Sequence, residues 1–318
     1  MGRPLEPLRG FTPLAIALRD ASVSVTVKKL FTPSEKSAVK ASWDKDLRSF
    51  LLRLMREHGI KPSRALGQHF LASSRVASKV TGLVEPQSVV YEVGCGLGSL
   101  TLFLSRNSQY VTCCEIDEKL ARILLQTVRA EALHNVDIIV ADALSLELSG
   151  IPHTVVSNTP FVISSRLIAK LCRDRGLLKA ILGVQRELGH RLVARPGSDD
   201  YGRLTVLAQL CFEVKMLFEV PPEAYIPKPE VSTIFVELKP RNLLEVEDLV
   251  KLENVTRALF SLRRKKLSKA LQMGLGVRGV ELETLLRNCG LSPEQRVYEV
   301  PPEGFLRIAN SLYGAYSA

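Results

Sequence analysis

The sequence lacks most of the features that classify a chain at first sight. Its six cysteines, Cys95, Cys113, Cys114, Cys172, Cys211 and Cys289, include no C-x-x-C spacing, so zinc is not supported and no metal is expected. Several of them lie in apolar runs, where a thiol packs as a small hydrophobe; free thiols in a reducing compartment are the expectation. No apolar stretch reaches the ~18 residues a membrane span needs, and Arg19 and Asp20 break the apolar N-terminal region. A transmembrane helix is therefore not expected. Neither an internal repeat nor a low-complexity segment is present, and no charged head, apolar middle and small-residue cleavage site marks a secretory signal.

What is present is an ordinary globular composition, 46% hydrophobic and 24% charged over 318 residues, which excludes disordered and collagen-like classes. Single cores stop growing near ~250–300 residues, so two domains are the default. The net charge of +10 favours polyanionic partners, nucleic acid or an anionic surface. It is unevenly placed: Arg257, Arg263, Arg264, Lys265, Lys266 and Lys269 fall in one stretch without an acid.

Residues 1–58 carry Glu6, Asp20, Glu35, Asp44 and Asp46, which argues against a transit peptide, and they read as a mobile extension with Met55 as an alternative start. Residues 59–240 read as one α/β domain, in which the stretch from Val89 to Leu238 repeats a pattern of β-branched run, turn and helical period, the signature of a parallel sheet. "SVVYEVG", "YVTCCEID", "VDIIVAD", "HTVVSN" and "KAILGVQ" read as five buried strands. "LCFEVKMLFEV" and "VSTIFVELKP", joined by a proline-rich connection, add an antiparallel pair and bring the sheet to seven strands. Residues 241–318 show helical periods near 246–260, 263–273, 280–289 and 302–312, a small basic helical domain.

The chemistry clusters at strand ends. "YEVGCGLGSLT" sets Glu92, Gly94, Gly96 and Gly98 directly after the first strand, where glycines let the chain turn tightly and a ligand touch the backbone. The spacing G-x-G-x-G is not the dinucleotide G-x-G-x-x-G. Glu115 ends the second strand, where a carboxylate can accept from both ribose hydroxyls, and Asp142 ends the third, where it can accept from an adenine amine. Each acid alone reads equally well as a helix cap or a solvated loop charge; together they line one crevice. Asn158-Thr159-Pro160-Phe161 ends the fourth strand in the same crevice. An exocyclic amine is a poor nucleophile because its lone pair is delocalised into the ring. Accepting its N–H groups on the Asn158 side-chain oxygen and a Thr159 or Pro160 carbonyl would free that lone pair, and Phe161 would stack on a base held out of its helix. Read alone, the tetrapeptide is equally an Asn-x-Pro turn with a core Phe. "RALGQHFL" (64–71) reads as a helix-entry segment, and "RALFSLRRKKLSKAL" as a helix whose basic face lies on phosphates.

These stretches, with "GQHFL", "EID", "ADAL", "SNTPFVISS", "YGRLTVLAQ", "IPKPEVSTIFVELKP" and "LFSLRRKKLSKAL", resemble the ribosomal RNA adenine N6-dimethyltransferase family of the KsgA type, in the family's order over residues 59–318. The resemblance implies a Rossmann-like class I methyltransferase sheet, S-adenosyl-L-methionine as cofactor, and dimethylation of two adjacent adenosines near the 3′ end of small-subunit rRNA. By position it implies cofactor contacts at Gln68, His69, Leu71, Gly94, Gly96, Glu115, Asp142 and Asn158, a target-base motif at Asn158 to Phe161, and RNA contacts at Arg263, Arg264, Lys265 and Lys266. It implies a monomer acting on small-subunit rRNA or a precursor particle, in the cytoplasm ahead of the mitochondrial matrix. The chain departs from the family's commoner residues at His69 (Asn), Cys95 (Pro), and Thr159 and Phe161 (Leu and Tyr); Thr159 is expected at the pocket rim. The rival readings are adenine methylation of large-subunit rRNA, as in Erm enzymes, and a non-catalytic RNA-binding assembly factor; a dehydrogenase is least favoured.

Overall fold

The computed structural model describes residues 43–147, 151–241 and 244–313. Most of the expected N-terminal extension, residues 1–42, lies outside them. In chain order the elements are α1 (Leu47–Glu57), β1 (Phe70–Leu71), α2 (Ser74–Thr81), β2 (Val89–Val93), α3 (Thr101–Asn107), β3 (Tyr110–Glu115), α4 (Glu118–Ala130), β4 (Val136–Val140), β5 (His153–Asn158), α5 (Ser164–Leu171) and β6 (Leu177–Gln185). There follow α6 (Arg186–Leu192), α7 (Arg203–Cys211), β7 (Phe212–Val220), β8 (Tyr225–Ile226), β9 (Thr233–Pro240), α8 (Val246–Phe260), α9 (Leu267–Leu275), α10 (Gly279–Cys289) and α11 (Pro302–Tyr313). Seven strands form one sheet in the order β4-β3-β2-β5-β6-β9-β7, and the described chain packs as two compact units.

The first unit holds the described residues up to Pro160 with Asp174–Leu182 and Pro222–Glu230. Its strands β2, β3 and β5 are runs of apolar and β-branched residues buried along almost their whole length, as strands covered on both faces must be. β2 pairs in parallel with β3 on one side and β5 on the other, and β3 with β4. Parallel pairing brings the carboxyl ends of all four strands to one edge. Helix α4 starts where Asp117 accepts the N–H groups of Lys119 and Leu120, and it buries Leu120, Ile123, Leu124 and Val128 at helical spacing.

Three expectations change in this unit. Residues 43–57 are folded rather than a mobile extension: Asp46 caps α1, whose Leu47, Phe50, Leu51 and Leu54 are buried, and Trp43 meets Phe103 edge-on at 5.0 Å. The apolar spacing i, i+3, i+4, i+7 dictates this helix, and Met55 lies inside it. The 64–71 segment does not run straight into a helix; Phe70 and Leu71 pair antiparallel with Ile226 and Tyr225, partners that local periodicity cannot reveal. Cys95 and Cys113 form a disulfide, Cα–Cα 6.0 Å, while Cys114, Cys172, Cys211 and Cys289 are buried thiols outside any disulfide. The pairing of β2 with β3 carries Cys95, two residues beyond β2, to within bridging distance of β3.

The second unit holds Phe161–Arg173, Gly183–Pro221 and the chain from Val231. In it β7 and β9 pair antiparallel, from Phe212 opposite Pro240 to Val220 opposite Thr233, with a bulge between Met216 and Phe218. Its core joins Tyr201, Leu252, Leu259, Leu271, Leu285, Phe305 and Ile308, with Phe260 stacked on Phe305 at 5.2 Å. The Tyr201 hydroxyl donates to the Val300 carbonyl at 2.8 Å. The basic stretch 257–271, read as one helix, is interrupted where the separate periods 246–260 and 263–273 divide: α8 ends at Phe260, Ser261 to Lys265 turn, and α9 begins at Leu267. Arg and Lys are good helix formers, so local propensity favours continuity. The contacts of Arg263 with Ser198, Asp199 and Tyr298 favour the turn.

Candidate functional site

The site lies at the carboxyl edge of the first unit, where β2 stands between β3 and β5 and the chain leaves in opposite directions from the two neighbouring strands. Open α/β sheets form a ligand crevice at such a switch point. Register levels the parts: Val93 lies opposite Cys114, Glu115 opposite Val140, and Glu92 opposite Val156. The Ser157 hydroxyl then fastens β5 to β2 by donating to the Val93 carbonyl at 2.7 Å.

The glycine loop that follows β2 needs its glycines. Gly94 has φ 72° and Gly96 φ 54°, the left-handed region, and a Cβ on Gly96 would meet the Phe70 ring at 2.9 Å. A Cβ on Gly94 would come within 3.2 Å of Pro160, so the glycine loop and the Asn-Thr-Pro turn abut. The loop is tied to β3 by the Gly94 N–H to the Cys114 carbonyl at 2.8 Å and the Gly96 N–H to Glu115 Oε2 at 2.7 Å.

Glu115 is buried, and its other oxygen accepts the Asp117 N–H at 2.9 Å. Burial pushes its carboxyl up, against the pull of those two N–H donors. Gln68 joins the same corner: its Nε2 donates to Asp117 Oδ2 at 3.2 Å, and its Oε1 accepts the Ser63 N–H. Asp142 is exposed at the end of β4 and accepts the Leu144 N–H on Oδ1 at 2.9 Å, the turn-capping contact that its position also allowed.

Asn158 ends β5 with its amide polarity set. Its Nδ2 donates to the His69 backbone carbonyl at 2.9 Å, which leaves Oδ1 as the acceptor of the side chain. The His69 ring in turn meets the Pro227 carbonyl through Nδ1 at 2.9 Å. Leu71 is fully buried and paired with Tyr225, so its side chain belongs to the core. Thr159 is 2% exposed, and its hydroxyl has no hydrogen-bond partner among the described residues; it lies beneath the surface rather than at a rim. Pro160 and Phe161 are half-buried, and Phe161 opens the turn that leads into α5.

Two further residues belong to this edge. Glu92 is 2% exposed with Oε2 unpartnered among the described residues. Burial pushes its carboxyl up to about 8, the Thr101 hydroxyl pulling it down and the Glu115 charge pushing it further up. The sequence placed this acid before the glycines without a role; its burial was the missing signal. Ile116 stays 53% exposed, an apolar residue beside Glu115 that faces solvent instead of a core. Among the described residues no cluster of His, Cys, Asp and Glu could hold a metal, and no helix is long and apolar enough to cross a membrane.

The basic segment of the second unit divides into two kinds of side chain. Arg263 donates to the Ser198 and Asp199 carbonyls at 2.9 and 2.7 Å and lies over the Tyr298 ring at 5.1 Å, so it holds a turn in place. Lys266 pairs with Glu294. Arg264 and Lys265 are exposed.

Comparison with known proteins identifies the relatives of this chain. The family model for "Ribosomal RNA adenine dimethylase" matches residues 60–313. A "Probable ribosomal RNA small subunit methyltransferase A" of Pyrobaculum aerophilum is 44% identical over 206 residues, 65% of this chain and 87% of that protein. The "Ribosomal RNA small subunit methyltransferase A" of Deinococcus radiodurans is 34% identical over 263 residues, 81% of this chain and 88% of its own length. A dimethyladenosine transferase structure from Plasmodium falciparum superposes with a TM-score of 0.62 at 24% identity, covering 75% of this chain and 95% of that one, and shares the fold. With the match running from before the glycine loop to the last helix, the chain belongs to the ribosomal RNA adenine dimethylase family.

Proposed function

We propose that the protein dimethylates the N6 amines of two adjacent adenosines near the 3′ end of small-subunit rRNA, with S-adenosylmethionine as methyl donor. The observation that carries this reading is the fixed amide of Asn158 beside the glycine loop, in a chain of the adenine dimethylase family. The donor set fits the cofactor: a glycine loop that carries no side chain at Gly94 and Gly96, a buried carboxylate at Glu115 for hydroxyls, an exposed apolar face at Ile116 for an adenine ring, and Asp142 at the next strand end. When bound, S-adenosylmethionine supplies an electrophilic methyl group on a sulfonium, which needs no metal.

The protein's part is positioning and electrostatics. Asn158 Oδ1 accepts one N–H of the target amine because its Nδ2 is already committed to His69. The Thr159 or Pro160 carbonyl accepts the second, the nitrogen becomes more pyramidal, and its lone pair is freed toward the methyl group. Phe161 stacks on the flipped base. Once the amine has taken one methyl group, S-adenosylhomocysteine would leave as the thioether and one proton would pass to water, so a single N–H would remain and a second transfer requires room for a methyl group where the other N–H had pointed. Gln68 and His69 close the cofactor side, Leu71 through its backbone, while Arg264 and Lys265 contact phosphates and Arg263 and Lys266 shape the turn that presents them. The partner is a small-subunit precursor particle, the acting species a monomer, and the compartment the cytoplasm.

The test is mass mapping of adenosine methylation in small-subunit RNA incubated with enzyme and S-adenosylmethionine. Wild type adds two methyl groups to each of two adjacent adenosines, and Asn158→Ala lowers turnover by about 100-fold or more. Normal turnover in Asn158→Ala would overturn the role of this amide in catalysis.

A further inference from the structure

The Cys95–Cys113 bond crosslinks the glycine loop to β3 at the point where the site depends on their spacing. Cys95 stands between Gly94 and Gly96, the two residues whose N–H groups reach the Cys114 carbonyl and Glu115 Oε2. Cys113 is two residues before Glu115. The disulfide therefore lies between two hydrogen bonds that join the same pair of segments, and it is the covalent one of the three. Both cysteines are buried, Cys95 4% and Cys113 0% exposed, in an interior strand and the loop above it. β3 is held by β2 and β4 on its two sides, so cleavage of the bond must be accommodated by the loop.

We propose that the Cys95–Cys113 bond is a redox-controlled lock on the glycine loop: oxidised, it sets the loop to receive S-adenosylmethionine; reduced, it releases the loop and weakens cofactor binding. The inference rests on the cofactor proposed above. Closing the lock removes one proton and one electron from each thiol, forms the S–S bond, and passes both electrons and both protons to a disulfide oxidant such as oxidised glutathione, which leaves as two thiols. Opening reverses the exchange. By linkage, a cofactor that binds the oxidised form more tightly makes that form harder to reduce, by the same factor.

The full chain is equilibrated in glutathione buffers of graded oxidation, with and without S-adenosylmethionine, the thiols are trapped by alkylation, and the Cys95–Cys113 linked peptide is quantified by mass spectrometry. Calorimetry measures cofactor affinity at the two extremes. The expected results are a linked peptide in oxidising buffer, affinity about tenfold higher in the oxidised form, and a reduction midpoint that moves to more reducing buffer with cofactor present. Cys113→Ala is expected to bind like reduced wild type at every ratio. Alkylation of both cysteines in fully oxidising buffer, or equal affinity in both states, overturns the lock. If neither state binds S-adenosylmethionine, the cofactor reading fails by itself. Amide exchange at residues 94–98 then decides the lock: slower exchange in the oxidised form supports it and equal exchange overturns it.

Discussion

The two units spend their buried polar groups differently. The carboxyl edge of the first carries two buried carboxyl groups, Glu92 and Glu115, and a buried Thr159 hydroxyl without a partner among the described residues. The core of the second is apolar around one anchored phenol, Tyr201, whose hydroxyl is satisfied by Val300; the buried groups of this unit that lack a partner among the described residues, Thr233 Oγ1, Arg263 Nε and Gln295 Nε2, include no carboxyl group. Burying a carboxyl is costly, and a fold tolerates it where the group serves a ligand. The contrast separates a region shaped for chemistry from one shaped for stability.

The largest blow to the stable side is Phe305→Ala. Phe305 is fully buried and stacked on Phe260, and its removal is expected to cost about 3–5 kcal/mol, read by denaturant unfolding. A loss under about 1 kcal/mol would mean that this core is loosely packed and the contrast is false.

Glu92→Gln sharpens the chemical side through pH. In the folded chain the Glu92 carboxyl is raised from its ordinary 4.5 to about 8, so the folded state holds the proton that the unfolded state releases. Its stabilisation is complete below pH 4.5, falls as pH rises, and is gone above about 8. Wild type should therefore lose stability relative to Glu92→Gln across that window, by up to ~1.4 kcal/mol per pH unit. Parallel stability curves for the two proteins would remove Glu92 from the group of strained residues.

Tyr201→Phe is smaller. It leaves the Val300 carbonyl without its donor and is expected to cost about 1–2 kcal/mol, measured as a shift in the denaturation midpoint. The smallest effect divides the basic turn: the double variant Arg264→Ala, Lys265→Ala should leave stability within about 0.5 kcal/mol and lower the salt slope of RNA binding by about 2. Lys266→Ala, which breaks a surface pair with Glu294, should shift stability by about 0–1 kcal/mol. An unchanged salt slope in the double variant would move the RNA contact elsewhere.

Much of this is legible in the chain. The five apolar runs become β2 to β6, and "LCFEVKMLFEV" and "VSTIFVELKP" become an antiparallel pair, although the first two residues of the former end a helix. Asn158 reads as a strand-end residue, and it ends β5. What is not legible depends on partners far away. Arg263 reads as one cation among four, until the Ser198 and Asp199 carbonyls and the Tyr298 ring claim it. Leu71 and Thr159 read as site residues by position, and the packing puts both side chains inside. Helix α1 is a different case: its apolar spacing is as regular as that of α4, so the helix is legible even though the surrounding extension reads as mobile.

The sequence by itself determined which residues end strands, where the chain must turn through glycine, and which family's motifs it carries, because periodicity and backbone freedom are local properties. Only the tertiary structure decided that Asn158 presents its oxygen, that Glu92 is buried while Asp142 is exposed, and that Cys95 meets Cys113. Burial, amide orientation and crosslinking depend on which strand lies beside which. That order comes from packing the whole sheet and cannot be read from any one window of residues.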